Sequence, residues 1–252
     1  MTKVLSLEAL TRIPQVFQFD VSSDGNKVAF SWNKEGKWDI YIKDLRSEEV
    51  RRLTEGPESA LEPRWSPNGK QIAYVSDRAG DENFDIFTIH ADDGKPSRLT
   101  NDPHDNHSPR WTPDGKWIVF ISNRGGDNLN LFRLSAETGE IERLTEGEEP
   151  ALLHSLSPNG RYAAFLRGFI NRSLWLLDMK DKVSKKIVSH PRGEIGIGQD
   201  PWSPDGAKLA FTSNVDNFHN VCVYNLENEK EQWFEKTSFE KSSPTWSPDA
   251  SK

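Results

Sequence analysis

The sequence predicts an all-β chain built from repeated four-stranded antiparallel units. Three observations carry this. A Ser-Pro-Asp-Gly-like turn recurs through the chain, anchored at Gly25, Gly69, Gly115, Gly160 and Gly206 and at Ala250, with spacings of 44, 46, 45, 46 and 44 residues. Each full turn is followed by a short run that is apolar at consecutive positions, as in Ile72-Ala73-Tyr74 and Ile118-Val119-Phe120. No helical periodicity separates the repeats. A fixed period of this length marks a repeat architecture.

The elements follow in order within each unit. A short apolar stretch before each turn supplies the fourth strand of the unit. In the turn, Pro presets φ, Asp or Asn suits the next position, and Gly accepts the left-handed conformation after it. The run after it includes Val28-Ala29-Phe30, Ala163-Ala164-Phe165 and Leu209-Ala210-Phe211. Consecutive apolar residues mean a strand buried on both faces. A polar loop leads to the next strand, as in "DIYI" from Asp39 and "NVCVY" from Asn220. The last, weaker strand ends in "RRLT" at Arg51, "SRLT" at Ser97 and "ERLT" at Glu142, and becomes "KKIV" at Lys185 and "EQWF" at Glu231. Four strands per repeat without helices is the signature of a β-propeller blade.

The expected layout is a leader over 1–14 and a propeller over 15–252. Its blades are expected at 15–54, 60–100, 108–145, 151–188 and 198–234, with a partial sixth at 243–252. A short helix is expected near Leu5–Leu10, capped by Ser6. The pre-turn strand should lie innermost. Ser243–Trp246 should be the first strand of a sixth blade and Ser247–Ala250 its turn, which implies a truncated propeller, part of a larger protein. An open edge is expected near Asn217–Phe234.

Composition narrows the function classes. With 9 Trp and 13 Phe the chain carries enough bulk for a core, despite 28% charged residues. A net charge of −7 argues against a nucleic-acid partner. One cysteine, Cys222, excludes an internal disulfide framework. No stretch reads as a signal peptide or membrane span, so the expected compartment is the cytoplasm.

Meander geometry puts the polar loops and the blade-to-blade crossings on one face. That face collects acids such as Glu62, Asp77, Asp102, Asp105 and Glu146, with Arg78 and Arg124 among few cations. The candidate binding residues are therefore Asp77, Arg78, Asp102, His104, Asn123, Arg124 and Glu146. "DPHDNH" from Asp102 offers imidazole and carboxylate together, but it lacks a second ligand cluster, so no metal is expected. His154 and Cys222 read as structural residues, and the pre-turn Trp residues as blade packing.

The unit from Pro109 to Thr145, "PRWTPDGKWIVFISNRGGDNLNLFRLSAETGEIERLT", resembles the Trp-Ser-Pro-Asp-Gly type of propeller repeat. TolB-like propellers use it, and so do the N-terminal propellers of prolyl-oligopeptidase-family serine peptidases, including acylaminoacyl-peptidase-like enzymes. The opening from Leu7 to Leu45 is similar to the peptidase group. That resemblance implies a propeller that gates and selects peptides for an α/β-hydrolase domain carrying a Ser-Asp-His triad, with Ser on a G-x-S-x-G elbow. The chain contains no G-x-S-x-G, so no catalytic residue carries over and no cofactor is expected. The chain as given should not hydrolyse anything; its partners would be a peptide, a protein, or a fused hydrolase domain. The alternative is a stand-alone TolB-like scaffold that binds a peptide or protein.

Overall fold

The computed structural model describes residues 14–77, 80–81, 83–126, 128–234 and 236–250, without the side chains of residues 153 and 154. The expected helix at Leu5–Leu10 lies outside these residues. Twenty strands are present among the described residues, and they form five four-stranded antiparallel sheets in chain order. The first sheet holds β1 (Val16–Val21), β2 (Lys27–Trp32), β3 (Asp39–Asp44) and β4 (Val50–Arg52). The second holds β5 (Ala60–Trp65), β6 (Gln71–Ser76), β7 (Asp85–His90) and β8 (Pro96–Arg98). The third holds β9 (Asn106–Trp111), β10 (Trp117–Ser122), β11 (Asn130–Ser135) and β12 (Ile141–Arg143). The fourth holds β13 (Ala151–Leu156), β14 (Tyr162–Arg167), β15 (Ser173–Asp178) and β16 (Val183–Ser189). The fifth holds β17 (Ile195–Gly196), β18 (Lys208–Ser213), β19 (Asn220–Asn225) and β20 (Lys230–Trp233). The chain is thus a β-propeller with five described blades.

Two boundaries differ from the sequence reading. The third blade begins at Asn106 rather than 108, and the fifth at Ile195 rather than 198. The Ile195-Gly196 strand lacks the Pro-Arg-Trp pattern of β5 and β9. Ser243–Trp246, expected as a strand, pairs with no strand among the described residues, although the turn after it forms.

The turns are built as their chemistry dictates. In each complete turn the hydroxyl of Ser22, Ser66, Thr112, Ser157 or Ser203 donates to the Asp or Asn two residues on, at 2.5–2.8 Å. The same hydroxyl accepts the amide that opens the second strand, as Lys27 N to Ser22 Oγ at 2.9 Å. The bond from Ser22, with help from Asn26, brings the Asp24 carboxyl down to about 2. The glycines Gly25, Gly69, Gly115, Gly160 and Gly206 all sit at φ between +67° and +72°. A side chain there is strained. At Gly160 a Cβ would also stand 3.0 Å from Pro113 of the preceding turn.

The chain divides into two compact units, one running to Trp111 and including Ala136–Gly139, the other holding Thr112–Ser135 and the chain from Glu140. Each has its own core. In the first, Ala29, Ile40 and Ile42 of the first sheet pack on Trp65, Ile72, Tyr74 and Ile89 of the second. In the second, Ala164, Leu166, Leu174 and Leu176 of the fourth sheet pack on Trp202, Leu209 and Phe211 of the fifth. The consecutive apolar runs are buried as expected, with Ile118, Val119 and Phe120 wholly enclosed. Each of these side chains contributes about 1.5–3 kcal/mol by leaving water. Two pre-turn indoles join neighbouring blades: Trp65 Nε1 donates to Asp20 O at 3.2 Å, and Trp202 Nε1 to Ser155 O at 3.3 Å.

The "RLT" ends have a second role. Thr54, Thr100 and Thr145 each donate a hydroxyl to Asp39, Asp85 or Asn130 at 2.8–3.1 Å. Each hydroxyl also accepts the amide of the following residue on the third strand, Ile40, Ile86 or Leu131, at 2.9–3.0 Å. Arg52, Arg98 and Arg143 then donate Nε to the threonine carbonyl at 2.8–2.9 Å. This latch fastens the outer strand where the ladder is only three residues long.

Candidate functional site

The first unit carries a polar cluster that starts from the backbone. β1 and β5 have register shifts between Phe17 and Phe19 and between Leu61 and Arg64. Gln18, Glu62 and Ser108 hold φ of +48°, +57° and +54°. A non-glycine residue there costs about 1–2 kcal/mol. Neighbouring strands offset this cost: Glu62 N donates to Gln18 Oε1 at 3.0 Å, and Ser108 N donates to Glu62 Oε2. The bulges therefore link one inner strand to the next.

His107 sits beside this ladder. Its Nε2 lies 2.9 Å from Asp105 Oδ2 and its Nδ1 3.9 Å from Glu62 Oε1. Its ring tilts against Phe84 at 5.0 Å between centroids. Asp105 is fixed in turn by Phe84 N, which donates to Oδ1 at 3.1 Å. Burial works against the imidazolium, but the bond to Asp105 and the charge of Glu62 outweigh it, so the histidine titrates above its ordinary value. Burial likewise opposes the Asp105 carboxylate, but the bonds from His107 and Phe84 hold it below the usual range.

This arrangement sets one imidazole between two carboxylates. Both ring nitrogens of His107 face carboxylates, leaving none to activate a nucleophile. Among the described residues no hydrogen bond joins the neighbouring Ser108 hydroxyl to His107, and no group of three His, Cys, Asp or Glu could hold a metal ion. Cys222 is fully buried, and burial pushes its thiol up to about 12, far from a thiolate nucleophile.

The residues singled out from sequence are set mainly into their own loops. In the first unit, Asp77 Oδ1 accepts Ser59 N at 2.8 Å, and Asp102 Oδ1 accepts the half-buried His104's N–H at 3.1 Å. Arg78 lies outside the described residues, and so does the His154 side chain. In the second unit, Asn123 is half-buried beside Arg124. Arg124 donates Nε to Ser122 Oγ at 3.1 Å and lies over the Phe120 and Phe132 rings at 5.3 and 5.6 Å. Glu146 is exposed, 3.9 Å from Arg143. His107, not His104, joins the carboxylate cluster. The signal for it was positional: Glu62 and Ser108 occupy the same place in successive repeats.

The comparisons agree with this architecture. The family model described as TolB beta propeller domain (PD40) matches residues 16–83 and 80–172. The chain belongs to this β-propeller family. It is similar to a Bacillus subtilis (strain 168) protein described as uncharacterized peptidase YuxL, with 26% identity over 228 residues. That match covers 85% of the chain and 32% of the relative, so the chain spans about a third of that protein's length. Among solved structures, TolB from Acinetobacter baumannii superposes with a TM-score of 0.67 at 21% identity, over 86% of this chain and 53% of that one. A puromycin-hydrolyzing peptidase from Mycobacterium tuberculosis superposes with a TM-score of 0.69 at 16% identity, over 87% of this chain and 38% of that one. At these identities the two structures share the fold. Among the described residues no helix is long and apolar enough to cross a membrane.

Proposed function

We propose that the chain is the propeller portion of a prolyl-oligopeptidase-type serine peptidase, acting in the cytoplasm, and that it gates and selects peptide substrates for an α/β-hydrolase domain. The observation that carries this reading is the match to the Bacillus peptidase, which runs over most of this chain and a third of that protein. The absence of a nucleophile–base pair in the described cluster is compatible with a selecting rather than a catalytic part. On this reading the loops bearing Asp77, Arg78, Asp102, His104, Asn123, Arg124 and Glu146 supply contacts to substrate or to the hydrolase domain.

The test is to sequence the transcript beyond the codon for Lys252 and to express whatever frame it encodes. A downstream G-x-S-x-G with serine-inhibitor-sensitive cleavage of short peptides supports the reading. Faster turnover of long substrates after loop deletion would support gating. A stop codon directly after Lys252 would overturn it. A second reading, a TolB-like scaffold binding a peptide or protein, is favoured by the family match over residues 16–172.

A further inference from the structure

The crevice between the third and fourth sheets and the crevice between the fourth and fifth are built alike, with one residue changed. Trp117 and Tyr162 each open a second strand, and Arg133 and Leu176 hold the same place on β11 and β15. Arg133 pairs with Glu142 on the outer strand, and Leu176 with Lys185. On the third sheet the Arg133 guanidinium lies 4.3 Å from the Trp117 ring, and its Nε donates to Glu142 Oε2 at 2.7 Å. Glu142 also pairs with Lys182, on the outer hairpin of the fourth sheet. The chain thus supplies its own cation to the ring. Between the fourth and fifth sheets an ion pair again crosses, from Lys185 to Glu229 at 2.6 Å. Here Leu176 brings no cation, and Arg161, 5.0 Å from the Tyr162 ring, is engaged with Asp178 at 3.2 Å.

A cavity of about 450 Å³ opens in this second crevice, with Leu176, Val183 and Leu226 as its apolar lining. Asp178, Asp181 and Glu229 line it against one lining cation, Lys185. Arg161 answers Asp178 and Lys185 answers Glu229. The exposed Asp181 carboxylate is left without a hydrogen bond or ion pair among the described residues. Tyr224 is the second observation. The second, third and fourth sheets have the enclosed aliphatics Ile89, Leu134 and Leu177 at its position, and the fifth has a phenol. Tyr224 is 4% exposed and lines the cavity, and no hydrogen bond reaches its hydroxyl among the described residues. Burial, and then the charge of Glu229, hold the phenol above its ordinary value, so at neutral pH it is uncharged and accepts from an N–H.

We propose that this cavity binds an alkylguanidinium or alkylammonium group, the cation that Arg133 supplies to the neighbouring crevice. The group pairs with Asp181 at the rim and donates to Tyr224 Oη, beside tyrosine rings that attract a cation. Its methylene stem packs on Leu176, Val183 and Leu226, as the stems of long cationic side chains do on apolar surface. An arginine side chain of a peptide and a free amine offer the same chemistry, and the experiment separates them. The inference stands on this cavity and does not require the peptidase reading.

The probes are agmatine and the tripeptide N-acetyl-Gly-Arg-Gly-amide, titrated into the whole chain by isothermal calorimetry. The same tripeptide with norleucine in place of arginine is the neutral control. A cationic probe should bind saturably, the tighter of the two marking the source, and the norleucine peptide should not bind. Asp181→Asn combined with Glu229→Gln should weaken binding at least about tenfold (about 1.4 kcal/mol). Tyr224→Phe should weaken it at least about threefold and leave the fold intact, because the hydroxyl has no protein partner. Glu137→Gln, an exposed acid on the third sheet's outer hairpin, should change nothing. No saturation by either cation up to about 10 mM, or binding of the norleucine peptide, would overturn the proposal. So would undiminished binding by the acid-pair variant or by Tyr224→Phe, or an equal loss with Glu137→Gln.

Discussion

The latch on the second blade makes the sharpest stability prediction. Asp85 is fully buried, with Thr100 Oγ1 2.8 Å from Oδ1 and Arg98 Nε 3.1 Å from Oδ2. Replacing Asp85 with Ala takes the carboxylate from the Arg98 guanidinium, which keeps the Thr100 carbonyl, and takes the acceptor from the Thr100 hydroxyl, which keeps the Ile86 amide. Breaking a wholly buried pair costs about 3–5 kcal/mol. The Arg98 side chain is 34% exposed, so water relieves part of this, and about 2–3 kcal/mol is expected. Thr100→Val orphans the buried Ile86 N–H, at about 2 kcal/mol. Asp85→Asn should cost only about 1 kcal/mol, because Asn130 makes the same bond to Thr145 at 3.1 Å on the third blade. Urea unfolding followed by far-UV circular dichroism measures all three. With a slope of about 1–3 kcal/mol/M, Asp85→Ala should lower the midpoint by about 1 M or more. If Asn were as costly as Ala, or if all three changes fell under about 0.5 kcal/mol, the latch would not hold the outer strand as described.

Further predictions follow from the same geometry. His107 titrates above its ordinary value, so its contribution is present below about pH 6.5 and is lost as pH rises through the raised value. Asp105 titrates below its ordinary value, so its contribution is present above the usual carboxylate range and lost as pH falls through the lowered one. Thermal melts across pH should therefore show a wild-type advantage over His107→Gln that disappears at alkaline pH; a constant difference would refute the pairing. Cys222 should resist aromatic disulfide reagents at pH 8 until denaturant opens the fifth blade, and stoichiometric labelling of the native chain within minutes would contradict its burial. A Cβ on Gly147 would overlap Arg167 Nη1 and stand 2.7 Å from its Cζ, while Arg167 holds the Glu149 carbonyl at 2.6 Å. Gly147→Ala should thus cost about 2 kcal/mol or more, against about 1 kcal/mol for Gly139→Ala, where space is open and only the φ of +75° is strained; equal melting shifts would reject this.

Legibility from sequence followed the range of the interactions. The turns were readable because Ser22, Asp24 and Gly25 meet within four residues and fix one another locally. The apolar runs were readable because burial on both faces leaves no alternation. "RLT" was recognised as a strand end, but its threonine reaches an Asp or Asn 15 residues upstream, and that contact appears only once the outer hairpin has closed. The His107 cluster was half legible. Glu62 and Asp105 were among the acids read on one face, yet the histidine singled out was His104. The left-handed bulges at Gln18, Glu62 and Ser108 had no local signal, since their residue types do not favour that backbone and only bonds from a neighbouring strand hold them.

Those bonds point to how stability is distributed. Contacts between blades recur at about one repeat of separation: Glu62 to Gln18 at 44 residues, Ser108 to Glu62 at 46, Trp65 to Asp20 at 45, Trp202 to Ser155 at 47 and Trp246 to Pro201 at 45. The second, third and fifth blades are thus each fastened to the one before by an indole or by the amide of a left-handed residue. In such nearest-neighbour arrays, stability is approximately the contribution of each unit plus that of each interface. A blade's four strands have apolar residues on both faces and cannot be stable with one face bare. The Trp246 contact then has a specific meaning. It repeats on Pro201 the contact that Trp65 makes on Asp20 and Trp202 on Ser155.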